Sequence, residues 1–189
     1  MSGIGASMAG GNPASGAQQP NKFYETSEVA TRALFTKFKP DGPIWECACG
    51  KGRMSEEMKR LGMKVISSDL IDYGYGIQQD FLKTKVRHAR NIVTNPPFDL
   101  AVQFIEHAME LEVDTLALLL KSTYWHADNR YELFQRYKPA KILPLTWRLD
   151  FMNLGRPTME CSWFVWIKGD TSASVDLLRR PRPRLTDKP

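Results

Sequence analysis

The sequence predicts an open, mainly parallel α/β sheet with helices on both faces. Three observations predict it. Short apolar runs alternate with stretches of helical spacing from Ser27 to Ile167, which is the signature of repeated β-α-β units. The run Thr115–Leu120 (TLALLL) is apolar almost throughout, as a strand covered on both faces must be. Glycine or proline follows the early strands at the points where the chain must turn. The chain has 189 residues, 42% hydrophobic and 25% charged. That is near one domain in size, long enough for a core, and inconsistent with wholesale disorder. Its apolar runs fall well short of the ~20 residues that cross a bilayer.

The elements follow in order. Ser27 can cap a helix running to about Phe38, with Ala30, Leu34 and Phe38 on one stripe, and Pro40, Gly42 and Pro43 end it. Ile44–Cys47 reads as a strand, followed by a glycine turn and a helix whose Met54, Met58 and Leu61 form a buried face. Lys64–Ser68 and Asn91–Thr94 are further strands. Asp99 can cap a helix carrying Ala101, Phe104, Ile105, Ala108 and Met109 at i, i+3, i+4, i+7 and i+8. Then come the strand Thr115–Leu120, a helix at Tyr131–Tyr137, and strands at Ala140–Leu145 and Cys161–Ile167.

Three regions are expected. Residues 1–21 are rich in Gly, Ala and Ser; the first 20 residues carry no charge, so they are expected to be disordered. They lack the basic start and continuous apolar stretch of a signal peptide. Residues 22–170 form the folded domain. Residues 171–189 are expected as a flexible, basic, Pro-rich tail: Arg179, Arg180, Arg182, Arg184 and Lys188 oppose only Asp187, so positions 179–189 hold +4 of the net charge of +5. Such a tail either binds polyanions through counterion release or keeps the chain in solution. Three cysteines are too few for a disulfide framework and fit a reducing, cytoplasmic setting.

In open α/β sheets, ligands lie beyond the carboxyl ends of the strands. Three strand ends carry unusual residues. The first runs into Glu46-Cys47-Ala48-Cys49-Gly50-Lys51-Gly52, where two glycines allow a sharp turn and close approach of backbone to a ligand, although inert turns use glycine too. The second ends at Asp69, where a carboxylate can accept both hydroxyls of a ribose; a turn residue is the plainer reading. The spacing from Gly50 also suits a nicotinamide dinucleotide, but Ser55 stands where a third glycine would be expected. The third runs into Asn95-Pro96-Pro97-Phe98. Two prolines stiffen the chain. The Asn95 side-chain oxygen and Pro96 carbonyl are acceptors suited to a planar amino group, and Phe98 can lie against a ring. A rigid turn capped by Asp99 is the plainer alternative.

Taken as an ordered set, Glu46-x-Ala48-Cys49-Gly50-x-Gly52, Asp69, Asp80-Phe81 and Asn95-Pro96-Pro97-Phe98 resembles the class I S-adenosylmethionine-dependent amino-methyltransferases. More narrowly it resembles the small phage and prophage DNA adenine-N6 methyltransferases, over roughly residues 22–168. The resemblance implies a Rossmann-like, seven-stranded, mostly parallel sheet and S-adenosylmethionine as cofactor. It implies that Phe23, Tyr24 and Thr26 help enclose the methionine end, that Ala48, Gly50 and Gly52 pass beneath it, and that Glu46 lies near its amino group. Asp69 would hold the ribose hydroxyls, Asp80 the adenine amine, and Phe81 would pack on or beside that ring. Asn95, Pro96, Pro97 and Phe98 would form the catalytic corner. The separate target-recognition domain usual in that family has no counterpart, which leaves sequence specificity open.

The implied reaction is direct in-line attack by adenine N6 in DNA on the methyl group, after base flipping. A second aromatic opposite Phe98 is then needed: Phe151 first, Trp125 and Tyr124 next, each alternatively a packing residue. Lys121, Arg148 and Arg156 are candidate phosphate contacts. His88, His107 and His126 show no metal-ligand spacing with the cysteines, so no metal is expected. Cys47 and Cys49 lie in the cofactor turn, not where a cytosine-carbon nucleophile would stand. The same corner suits other acceptors: an RNA base amine, cytosine N4 or a protein glutamine amide. A non-catalytic cofactor- or DNA-binding module and a nicotinamide oxidoreductase are the remaining alternatives.

Overall fold

A computed structural model describes residues 26–151 and 155–184. The expectations for residues 1–21, Phe23 and Tyr24 lie outside the described residues.

Among the described residues eight strands form one sheet in the order β3-β2-β1-β4-β5-β7-β6-β8. They are β1 (Ile44–Glu46), β2 (Val65–Asp69), β3 (Ile77–Gln78), β4 (Asn91–Thr94), β5 (Thr115–Lys121), β6 (Lys141–Pro144), β7 (Cys161–Ile167) and β8 (Ser174–Val175). Strands β3, β2, β1, β4 and β5 pair in parallel. Strand β7 runs antiparallel to both β5 and β6, with Leu118 opposite Phe164 and Ile142 opposite Phe164. The two-residue strands β3 and β8 extend the expected set at its edges. The strand order reverses between β1 and β4, so their carboxyl ends splay apart and leave a crevice.

Among the described residues four helices cover the sheet: α1 (Glu28–Leu34), α2 (Arg53–Arg60), α3 (Ala101–Glu110) and α4 (Tyr131–Arg136). One face of the sheet packs Ala30, Leu34, Met54 and Met58 against Val93, Ala117, Leu119, Leu143, Trp163 and Val165. The other packs Phe104, Ile105, Ala108 and Leu133 against Trp45, Ile92, Leu116, Leu118, Leu120, Phe164 and Trp166. Alternate residues of β5 thus enter opposite cores, which is why its sequence is continuously apolar. Each fully buried side chain of Leu size contributes about 1.5–3 kcal/mol.

Local details correct some expectations. Helix α1 ends at Leu34; Phe38 nevertheless stays buried, because its N–H donates to Leu34 O (3.0 Å) and folds a closing turn inward. Asp99 does not cap α3. Pro97 is extended (φ −53°, ψ 127°) and leads into a 3-10 turn at Phe98–Leu100, closed by Leu100 N–H to Pro97 O (2.9 Å), so α3 starts at Ala101 with Leu100 at its N-cap. The segment after residue 170 is not wholly a free tail. Strand β8 pairs with β6, Leu178 is fully buried, and Arg184 pairs at 3.2 Å with the buried carboxylate of Glu57. The burial of Leu178, the pairing with β6 and the Arg184–Glu57 ion pair hold this segment against the domain.

Candidate functional site

A cleft of about 1240 Å³ opens beyond the carboxyl ends of β1, β2, β4 and β5. The parallel pairing delivers four strand ends to one rim, and each brings a distinctive group.

At the end of β1, Glu46 forms part of the cleft floor at 2% exposure. Ser55, on the first turn of α2, donates to its carboxyl, and Ser55 Oγ also meets Ser67 Oγ at 2.6 Å. Burial pushes the Glu46 pKa up to about 8, against the downward pull of the Ser55 hydrogen bonds. The serine at position 55, where the dinucleotide motif has glycine, therefore has a local purpose: its hydroxyl serves a buried acid. Cys47 and Cys49 also line the cleft, but burial raises both thiols, Cys49 to about 12, so they stay protonated.

The glycines of the β1–α2 turn divide. Gly50 lines the cleft, and its N–H donates to Asp69 Oδ2 at 2.7 Å. Gly52 does not line it. It opens α2 at φ +83°, and a Cβ there would lie 2.4 Å from the Tyr75 ring. Its glycine is required by backbone handedness and by Tyr75, not by approach to a ligand.

At the end of β2, Asp69 Oδ1 accepts from the Ile71 N–H at 3.0 Å. Asp69 is partly exposed on the cleft wall. Past β3, Asp80 caps a 3-10 turn through Leu82 N–H (3.0 Å) and pairs with Lys83 (3.0 Å). Phe81, 3% exposed, meets Trp45 edge-on at 5.3 Å and Phe104 at 4.7 Å. It reaches the cleft as part of its floor, so a ring could lie beside it but not between it and a second plane. Thr26 and Ala48 complete this side.

At the end of β4, Asn95, Pro96, Pro97 and Phe98 all line the cleft. Pro96 is buried, Pro97 exposed, and Asn95 and Phe98 lie half-buried. Lys121, which ends β5, sits 5.5 Å above the Phe98 ring centre. Beyond it, Thr123, Tyr124, His126, Ala127 and Arg130 form the far wall. Arg130 lies 4.1 Å over the Tyr124 ring and donates to the Tyr124 carbonyl. His126 and Arg130 were not foreseen; no spacing in the sequence distinguishes them from other polar residues of a loop.

Other expected residues fall elsewhere. Phe151 is 8% exposed in the core and meets Phe98 at 6.2 Å with an 80° interplanar angle, leaving no parallel slot for a base between them. Trp125 is 44% exposed and does not line the cleft; it stacks on His126 and meets Phe164 edge-on. Arg148 is held by Glu160 through two donors (3.1 and 2.7 Å) and Arg156 is exposed; neither lines the cleft. Among the described residues no group of three or more His, Cys, Asp or Glu could hold a metal ion, and no helix is long and apolar enough to cross a membrane.

No protein-family model matches the sequence, and no curated protein matches it. Solved structures do. A modification subunit of a putative type I restriction enzyme from Vibrio vulnificus YJ016 is similar at 14% identity and TM-score 0.53, over 88% of this chain and 49% of that one. The chain has the class I methyltransferase fold. The 23S rRNA methyltransferase ErmE shares it at 12% identity and TM-score 0.55, over 79% of this chain and 71% of that one. A putative RNA methyltransferase from Pyrococcus horikoshii does so at 11% identity and TM-score 0.55, over 81% and 91%. The chain thus spans about half the length of the Vibrio subunit. At these identities the likeness concerns the fold, and the expected seven-stranded, mostly parallel arrangement is present with one further edge strand.

Proposed function

We propose that this cleft binds S-adenosylmethionine and transfers its methyl group to the exocyclic N6 amine of adenine in DNA. The observation that carries the reading is that Asn95-Pro96-Pro97-Phe98 and the acids Glu46, Asp69 and Asp80 line one cleft.

The donor set fits the cofactor. S-adenosylmethionine is a cation with an ammonium, a ribose diol and an adenine amine, all of which donate or carry positive charge. The cleft offers three carboxyl groups on its β1–β3 side. The Asp69 carboxylate oxygens each accept one described backbone N–H, and a carboxylate has about four lone-pair sites, so capacity remains for two hydroxyls. Glu46 would face the ammonium, and Asp80 the adenine amine. When bound, the cofactor supplies a methyl group on a positively charged sulfur.

The remaining chemistry belongs to the acceptor corner. The lone pair of adenine N6 is conjugated into the ring. Hydrogen bonds from the two amine N–H groups to the Asn95 side-chain oxygen and the Pro96 carbonyl favour a pyramidal nitrogen and free that pair to form the new N–C bond as the C–S bond breaks, after which the surplus proton of the methylated amine leaves to water. Holding the two reactants in line can supply ~7–11 kcal/mol of the barrier. Phe98 gives one flat wall for an extruded base, at an unstacking cost of a few kcal/mol. No covalent enzyme intermediate is needed, consistent with the raised pKa values of Cys47 and Cys49.

The test is incubation with methyl-labelled S-adenosylmethionine and DNA, RNA or protein, followed by hydrolysis. Label in N6-methyladenine from DNA supports the proposal; label only in RNA or protein transfers the same mechanism to another acceptor; no label in any of them refutes it.

A further inference from the structure

On its β1–β3 side the cleft is lined by Glu46, Asp69 and Asp80 together with Lys51 and Arg53, and across from them Lys121 and Arg130 follow β5. Several cations elsewhere in the molecule are paired with acids: Arg32 and Arg60 with Glu57, Arg90 with Asp114, Arg148 with Glu160. Neither Lys121 nor Arg130 pairs with an acid among the described residues. Each instead rests on an aromatic face, Lys121 on Phe98 at 5.5 Å and Arg130 on Tyr124 at 4.1 Å. Such a ring holds the cation in place without cancelling its charge. Arg130 uses one nitrogen on the Tyr124 carbonyl, and a guanidinium has five N–H donors, so a second edge is left to take an anion bidentately.

We infer that Lys121 and Arg130 hold backbone phosphates of a nucleic-acid strand on either side of the nucleotide that enters the cleft. The inference rests on the proposed transfer site and narrows its acceptor: a neutral protein glutamine amide brings no anion to these two charges, whereas every nucleotide does. The two aromatics then have two duties each. Phe98 flanks the base and steadies Lys121; Tyr124 shapes the far wall and fixes the plane of Arg130. This gives the β5–α4 loop the role of strand recognition.

The test measures binding of short labelled oligonucleotides by fluorescence anisotropy across a salt series, using the full chain. Duplex DNA, single-stranded DNA and RNA of the same sequence serve as probes. Arg130→Gln and Lys121→Gln should each lower the slope of log K against log salt by about 0.9 on duplex or about 0.7 on a single strand, one phosphate contact apiece. Arg90→Gln, at the opposite end of the strands and paired with Asp114, should leave the slope unchanged. Retained S-adenosylmethionine binding, read by calorimetry, certifies that the variants are folded. Unchanged slopes for both cleft variants, an equal fall for Arg90→Gln, or no binding of any oligonucleotide by the wild type would overturn the inference. Oligonucleotide binding with the expected slopes but no cofactor binding by the wild type would sustain this inference and refute the transfer reading, so the two fail separately.

Discussion

The Gly50 N–H donates to Asp69 Oδ2 across 2.7 Å, joining two strand ends that lie 19 residues apart in sequence. One carboxylate thus fixes the turn after β1 and also forms the wall at the end of β2. Replacing it should damage both. Asp69→Ala leaves the Gly50 and Ile71 N–H groups without their acceptor; hydrogen bonds to a charged group are worth about 1.5–3 kcal/mol, so S-adenosylmethionine affinity should fall about ten- to a hundredfold. Asp69→Asn keeps one acceptor oxygen and should lose less. Isothermal titration of both variants decides this, and equal affinity of Asp69→Ala and wild type would remove Asp69 from the cofactor site.

Glu46 should couple stability to pH. Its pKa in the folded chain is about 8, raised chiefly by burial and further by Asp69, with Ser55 and Lys59 pulling it down. The unfolded value is near 4.3. Between those values the folded state holds a proton that the unfolded state has lost, so the Glu46 contribution to stability is fully present below about pH 4.3 and is lost as pH rises toward 8. Glu46→Gln should flatten that decline in denaturant titrations from pH 5 to 8. An ammonium brought beside Glu46 favours its ionised form, so cofactor binding near pH 7 should release a proton. Calorimetry in buffers of different ionisation enthalpy reads that release, and Glu46→Gln should abolish it.

Much of the sheet is legible in the sequence, because burial dictates it. Asn91–Thr94 and Cys161–Ile167 are strands at the bounds their apolar runs predict. The edge strands β3 and β8 are not legible. Ile77 and Val175 are exposed and each strand is two residues long, so backbone pairing makes them with no apolar pattern to announce it. The Asn95–Phe98 corner at the end of β4 is readable because proline and asparagine restrict the chain locally. The partner of Phe98 is not, because which way Phe151 turns depends on the core beneath the sheet. Arg130 is hidden for a related reason: its place is set by the Tyr124 ring and carbonyl, six positions earlier in a loop.

Gly52 tests the division of labour between the two glycines of the first turn. Gly52→Ala forces a Cβ to within 2.4 Å of the Tyr75 ring at φ +83°. The left-handed conformation alone costs about 1–2 kcal/mol, and each kcal/mol lowers Tm by roughly 2–4 °C in a domain of this size. Gly52→Ala with Tyr75→Ala should recover the steric part and leave the backbone part. A single variant that melts with the wild type would contradict the packing described.

Asn95→Ala should lower kcat by about two to three orders of magnitude, the loss typical of removing one positioned polar group from the reacting centre. Cofactor affinity should stay within a few-fold, since Asn95 belongs to the acceptor side. Single-turnover kinetics with saturating cofactor separates the two effects; a variant with wild-type turnover would take Asn95 out of the mechanism.

The most direct measurement is a crystal structure of the protein with S-adenosylhomocysteine and adenosine bound together. The thioether should lie between Glu46 and Asn95, the ribose on Asp69, and the adenosine amine within hydrogen-bonding distance of the Asn95 side-chain oxygen and the Pro96 carbonyl, beside Phe98. A nucleoside found elsewhere while the cofactor occupies the cleft, or an amine turned away from Asn95 and Pro96, would contradict the account.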